Sequence, residues 1–351
     1  VTPGSCLGWD IGGAHLKVAE LAPDGAVVAA AQYATPLWNG TDALQQHLAR
    51  VRHARTGPVY LHAVTMTGEL VDFFPDRQTG VNALLDVFAG HFPEERTAVY
   101  GGTSGFLTVP AARMATDQVA SANWLATAQC AATCVGHGVL LDVGSTTTDI
   151  VPFFDRQPRN AGWNDQQRLA CDELVYTGVV RTPVMALVQR VPFEGRWQNV
   201  AAEHFATTAD VYRITGELEG GADLHDSADR RGKSVAESVS RLARMLGAEV
   251  PPGVPDHGCW CELAAHIAER QLQMIERALQ DVLARLPAGP PLTIVGAGTG
   301  AFLARKLARR GGHVYRPFSD LFAVRGATRW DVAACAPAVA VAELARRGRL
   351  Q

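Results

Sequence analysis

Short apolar runs broken by glycine set the pattern at the start of the chain. Residues 7–10, 16–21 and 26–33 read as strands, with Gly12-Gly13 and Pro23-Asp24-Gly25 marking the turns between them. Three strands in succession make a β-meander, unlike the strand-then-helix opening of a dinucleotide-binding fold. The period then lengthens to that of helices at 42–55 and 79–91, either side of a strand at 59–66, and 99–101 adds a short strand. A long helical stretch over 110–134 ends at Gly136 and Gly138.

At that point the opening pattern returns. Residues 139–142 read as a buried strand, 143–147 as a turn and 148–154 as a second strand. A strand–glycine turn–strand unit, with an aspartate closing its first strand, therefore occurs twice, about 132 residues apart. Such duplication predicts two related α/β domains. We place them at 1–136 and 137–330, with 331–351 as a C-terminal helix packing back on the first. Further along, 201–211, 234–247 and 263–286 read as helices, and 216–233 as a glycine- and acid-rich loop, solvated and mobile, that could fold over a site as a lid. A strand at 292–295, a helix ending at 310, a strand at 314–316 and a helix at 337–346 complete the chain.

Composition narrows the function classes. The chain has 351 residues and a net charge of -3, which offers no footprint for nucleic acid. Its apolar runs fall well short of the ~18 residues that span a bilayer, and its first residues show no secretory pattern. Seven cysteines, an odd number, argue against a disulfide framework and for a cytoplasmic protein. Cys130 with Cys134 and Cys259 with Cys261 lack the second pair that a zinc site needs. Only three lysines occur among 32 basic residues, namely Lys17, Lys233 and Lys306, so a lysine inside a motif carries weight.

Three motifs carry candidate chemistry. In the first hairpin, Gly12, Gly13, Ala14 and His15 gather backbone N–H groups with little side-chain obstruction, an anion cradle suited to phosphate. Asp10 closes the strand before it, where it could orient hydrated magnesium, and Lys17 returns toward the turn. The plain alternative is a glycine hairpin with a surface lysine. The second hairpin repeats this with Asp142, Gly144, Ser145, Thr146, Thr147, Thr148 and Asp149. Its hydroxyls suit phosphate oxygens and its carboxylates suit metal-bound water. The third motif, Gly296, Gly298 and Gly300, lies between a strand and a helix, a place where many proteins carry glycine.

As an ordered set, these motifs resemble those of the actin-like ATPase, sugar kinase and heat-shock chaperone superfamily. The wording of the hairpins is similar to its hydantoinase A and oxoprolinase branch. The segments at 66–70, 172–183, 210–213, 221–225 and 336–342 are similar to a subfamily linked to tetrahydromethanopterin-dependent one-carbon transfer. Its archaeal members are methylofuran-biosynthesis synthases that join an aminomethyl-furan-methyl diphosphate to γ-glutamyltyramine. The resemblance implies an α/β fold of two facing ribonuclease H-like domains with a central cleft. It also implies a transferase that forms an aryl ether and releases diphosphate. Small-molecule substrates are its partners, with no nucleic acid and no membrane.

The residues assign roles within that chemistry. Losing diphosphate from a furan-CH2 carbon leaves a ring-stabilised cation, so the leaving group needs neutralising by the nests, Lys17 and Mg2+ held by Asp10, Asp142 and Asp149. ATP is not expected to be required. The phenol, with an unperturbed pKa near ~10, needs a base, for which Glu69, Asp72, Asp142 and His15 are candidates. Arg181 could hold a glutamyl carboxylate or form an ion pair with Glu173, and Tyr212 is a further candidate substrate residue. Two rival readings are an ATP-dependent kinase or hydantoinase-type ATPase, and a nucleotide-gated scaffold or sensor. Asp223, His225, Asp226 and Asp229 could be read as metal ligands or as a solvated loop.

Overall fold

The computed structural model describes residues 4–54, 57, 59–250, 258–286 and 291–348. The chain folds as two compact units. Unit 1 comprises residues 1–140, 151–160 and 316–351, and unit 2 comprises 141–150 and 161–315.

The strands of the first sheet are β1 (Ser5–Ile11), β2 (His15–Leu21), β3 (Val27–Ala34), β4 (Val59–Met66), β5 (Thr97–Tyr100) and β6 (Phe106–Leu107). They lie in the order β3-β2-β1-β4-β5-β6. The meander pairs antiparallel, and β1, β4 and β5 run parallel. Helices α1 (Asp42–Ala54) and α2 (Arg77–Ala89) fill the connections. The expected helix at 110–134 is instead three pieces, α3 (Val109–Met114), α4 (Thr116–Val119) and α5 (Asn123–Val135). The chain leaves helical geometry at Ala115 and again at Ser121, whose φ of 50° no helix accommodates.

Period-2 alternation explains the core. Leu7, Trp9 and Ile11 point to one face and join Phe88 and Phe92 in the main cluster, where the Trp9 indole N–H donates to His62 Nδ1 at 3.2 Å. Cys6, Gly8 and Asp10 point to the other face. There a Cβ on Gly8 would fall 1.8 Å from the Ala338 carbonyl oxygen, so an alanine-rich helix lies directly on the strand.

The second sheet uses β7 (Gly138–Val143), β8 (Thr148–Phe154), β9 (Gln157–Pro158) and β10 (Leu174–Val175), with α6 (Asp165–Ala170) preceding β10. A separate antiparallel hairpin, β11 (Arg190–Phe193) and β12 (Arg196–Asn199), was not legible as strands; its turn is Glu194-Gly195, both at positive φ. Next come α7 (Thr208–Ile214), α8 (Val235–Arg244) and α9 (Gly258–Ala284), then β13 (Thr293–Ala297), α10 (Ala301–Arg310), β14 (Val314–Pro317), α11 (Arg329–Ala334) and α12 (Ala336–Gly348). The helix expected at 201–211 starts only at Thr208, because Thr207 and Asp210 form a capping box there. The order β10-β8-β7-β13-β14 reproduces the first five positions of the first sheet, β3-β2-β1-β4-β5. Both sheets thus follow one plan, with β7 in the place of β1 and β13 in that of β4. Helix α12 belongs to unit 1, where it packs on β1, β2, β4 and α5. Among the described residues no helix is long and apolar enough to cross a membrane.

Candidate functional site

The first hairpin closes with the Gly12 amide donating to the His15 carbonyl at 2.9 Å, which leaves a two-residue loop, Gly13-Ala14. The second closes identically, Gly144 to Thr147 at 2.8 Å around Ser145-Thr146. The loop carbonyls are occupied from outside. Leu37 donates to Gly13 O and Thr35 to Ala14 O, while Val179 donates to Gly144 O and both Val180 and Arg181 donate to Ser145 O. The amides of Gly13, Ala14, Ser145 and Thr146 meet no acceptor among the described residues. Each unit therefore presents a nest of unpaired backbone donors beside carbonyls that mostly accept from elsewhere in the same unit, which suits an anion.

Around the first nest the sheet register sets the side chains. Asp10 is paired across β1 and β2 with Lys17, and across β1 and β4 with Thr65. The three therefore share a face. Lys17 Nζ lies 3.7 Å from the Asp10 carboxylate, with side chains 19% and 2% exposed, so the lysine is an ion-pair partner and not a surface residue. Asn123 donates to Asp10 Oδ1 at 3.4 Å. The amides of Thr67 and Gly68 both donate to Ile11 O, which ties the turn after β4 to the hairpin. Glu69 follows in that turn, buried, and accepts from Ser121 Oγ at 2.7 Å. Asp72 is exposed three residues further on.

The second nest is held from two sides. The Gly300 amide donates to Val143 O at 2.8 Å, the counterpart of the Thr67–Ile11 contact. A Cβ on Gly298, which has φ +82°, would fall 2.1 Å from Val143 O and 2.4 Å from Asp142 Oδ1. A Cβ on Gly178 would meet the Ser145–Thr146 peptide at 2.4 to 2.5 Å. Gly296 leaves room for the Tyr315 ring, whose hydroxyl donates to Ala301 O. The third glycine motif is thereby the packing surface against which the Asp142 strand end sits.

Several expected roles meet other commitments. The Thr148 hydroxyl is buried and donates to Thr177 O at 2.8 Å, so it does not face a phosphate. Asp149 is held by Arg168 at 2.8 Å, a guanidinium only 1% exposed that occupies the place expected of a cation. Glu173 is buried, accepts from the Ala161 and Gly162 amides, and has Arg285 at 3.5 Å as its cation; Arg181 lies exposed in the loop that wraps the second hairpin. Tyr212 is fully buried, its hydroxyl donating to Gln271 at 2.6 Å, and its place is in the packing of α7 on α9. The 216–233 loop is pinned. Asp223 pairs with Arg213 and Lys233, and Asp229 with Arg241 and Arg244. Among the described residues no three His, Cys, Asp or Glu side chains form a group that could hold a metal ion. Sequence reasoning did not single out Asn123, Ser121 and Arg168, and it took in Gly178 only as part of the 172–183 segment. Each reaches the hairpins or their carboxylates from a distant stretch or a loop without a motif.

Over 244 residues the chain is 33% identical to the (4-{4-[2-(γ-L-glutamylamino)ethyl]phenoxymethyl}furan-2-yl)methanamine synthase of Methanocaldococcus jannaschii, covering 69% of this chain and 72% of that protein. The protein of the same name from Methanococcus vannielii is 32% identical over 108 residues, 31% of this chain and 48% of that one. Among solved structures, nucleotide-free acetone carboxylase superposes with a TM-score of 0.54 at 11% identity, covering 95% of this chain and 70% of that chain, a likeness of fold alone. With its two sheets on one plan, the protein has the α/β architecture of the actin-like ATPases. The hydantoinase/oxoprolinase family model matches residues 61–347, a span that holds the second hairpin, the third glycine motif and most of β4 with the turn after it, and the chain belongs to that family.

Proposed function

We propose that the chain is an aryl-ether synthase of methylofuran biosynthesis, a transferase joining an aminomethyl-furan-methyl diphosphate to γ-glutamyltyramine with release of pyrophosphate. The observation that carries this reading is the 33% identity, over 69% of the chain, to a relative named for the ether product. Cutting the aryl–O–CH2 bond in that name leaves a γ-glutamyl amide of tyramine on one side and a furan-methanamine on the other.

The bond between the furan methylene and diphosphate breaks, and its electron pair leaves with pyrophosphate. The phenol oxygen bonds to the methylene, and its proton passes to a carboxylate. Glu69 and Asp142 are the buried carboxylates beside the nests that suit this step. Donors fixed by a folded turn need no reorganisation as charge develops on the leaving group, and the Lys17 ammonium adds a full charge beside the first nest. Magnesium fits as an ion that arrives on the diphosphate oxygens, a mode that needs one or two carboxylates and not a protein cage. Asp10 in the first unit or Asp142 in the second would hold its water, and the ion would supply further neutralisation of the leaving group. The partners are then two small molecules. We place the reaction in the cytoplasm, where the seven cysteines, all free, would stay reduced.

The test is stoichiometric. Purified protein given the furan diphosphate, γ-glutamyltyramine and Mg2+ should release pyrophosphate and form ether in equal amounts with no ATP present. Strict dependence on ATP, with ADP formed at each turnover, sinks the reading.

A further inference from the structure

Unit 2 contains a hollow of about 700 Å3, within the range of small-molecule sites, between α9, α10 and the turn after α7. Its floor is apolar, with Ala268, Leu272 and Leu303. Its rim is charged but internally balanced. Lys306 pairs with Glu217, and Arg310 with Glu269 at 2.5 Å. Arg309 also lines the hollow, is exposed, and makes no ion pair among the described residues. One wall is stiff. The Lys306 ammonium lies 5.9 Å from the Phe302 ring centre, Phe302 meets Tyr212 edge-on at 5.1 Å, and Tyr212 is hydrogen-bonded to Gln271.

With Glu217 and Glu269 paired to Lys306 and Arg310, the Arg309 guanidinium is the rim charge left over, and it attracts a single carboxylate. A group carrying both an ammonium and a carboxylate can set its carboxylate on Arg309 and share Glu217 with Lys306. Helix α10 also links the hollow to the second hairpin. Helix α10 starts directly after Gly300, whose motif touches Asp142, and Arg309 is nine residues on, about 14 Å of helix. That is the reach of about four extended residues, which a tyramine carrying a glutamyl arm matches. We propose that this hollow is the acceptor subsite, taking the amino-acid end of γ-glutamyltyramine at its charged rim and the aromatic ring on its apolar floor, with the phenol toward Gly298 and Asp142.

The identity of the acceptor rests on the aryl-ether reading; the preference for a zwitterion rests on the hollow alone. Calorimetric titration without the furan donor separates the two. Wild type should bind γ-glutamyltyramine, and Arg309→Gln and Glu217→Gln should each weaken it tenfold or more. Tyramine, which lacks the amino-acid head, should bind more weakly and equally to wild type and Arg309→Gln. In turnover, Arg309→Gln should raise KM for the acceptor while kcat stays within about twofold, as for a contact made equally in ground and transition states. Both variants alter exposed or half-buried side chains, and thermal melts check that each is folded. Unchanged affinity in both variants overturns the proposal, as does displacement of γ-glutamyltyramine by ATP. Arg309-dependent binding in a protein that makes no ether upholds the subsite and removes the reaction.

Discussion

Lys17 shows how much a single residue here depends on its cross-strand partner. Its ammonium is mostly covered, sits 3.7 Å from Asp10 and lies beside a turn whose amides point outward. If it neutralises a departing diphosphate, it interacts more strongly as the bridging oxygen gains charge. Lys17→Met should then lower kcat more than it raises KM, by about a hundredfold to a thousandfold. Removing it also leaves the Asp10 carboxylate buried without this cation, a loss that typically costs about 3–5 kcal/mol. The double variant Asp10→Asn/Lys17→Met should recover much of that stability without recovering kcat. Lys17→Arg should rescue poorly, since a planar fork does not replace a compact charge. A folded Lys17→Met enzyme with near-normal kcat makes the lysine scaffold. The hairpin itself was legible from the sequence because turn chemistry is local. The contacts that fix the carboxylates around it were not: Asn123 reaches Asp10 over 113 positions and Ser121 reaches Glu69, in the turn after β4, over 52, and neither residue type announces a partner at that range.

Among the elements, α7, α8 and the 216–233 loop show why a charged stretch is ambiguous in sequence. Glycines and aspartates there read equally as a solvated lid or as metal ligands. The structure gives the acids to arginines instead. Arg241, with no exposed side-chain surface, bridges Asp210 and Asp229, and Arg213 bridges Asp210 and Asp223. Arg241→Met should therefore destabilise the protein by about 3 kcal/mol, read from the urea midpoint, because buried Asp210 keeps Arg213 alone as its cation. The same network has an acid limit. Burial pushes the Asp229 carboxyl up, but the Arg231 amide and the Arg244 and Arg241 guanidinia outweigh it and hold it below the ordinary carboxylate value. A depressed folded pKa gives stability that is complete above the unfolded pKa and is lost as pH falls through the folded one. Urea midpoints should thus hold from pH 7 to about 5 and fall below about pH 4, and Asp229→Asn should flatten its share of that fall. Strands went the same way as the loop. The meander and the second hairpin, with their regular alternation and glycine turns, were readable, whereas β11 and β12 were hidden in a polar stretch whose pairing depends on a turn at Glu194-Gly195.

At the scale of the molecule, duplication was the strongest signal in the sequence, and it reaches further than the two hairpins that revealed it. The order of five strands repeats, and so does the contact from the turn after the neighbouring strand to the carbonyl that opens each hairpin loop: Thr67 and Gly68 to Ile11, and Gly300 to Val143. The copies have diverged in charge. Lys17 stands in the first where Asp149, neutralised by Arg168, stands in the second. Backbone donors are therefore common to both nests, while at the matching strand position the first carries an ammonium and the second a carboxylate held by a guanidinium. Pyrophosphate, the proposed product, should accordingly protect the amides of residues 12–17 from hydrogen exchange more strongly than those of 144–149. The difference should shrink in Lys17→Met. Binding to the native state alone adds about 2.7 kcal/mol of stability at a hundred times Kd, which for units of this size corresponds to a rise in melting midpoint of roughly 5–10 °C. Magnesium should enlarge the shift, and adenosine should produce none. Stabilisation by ATP with none by pyrophosphate would assign the nests to a nucleotide, and protection confined to 144–149 would make the first hairpin a relic of the duplication.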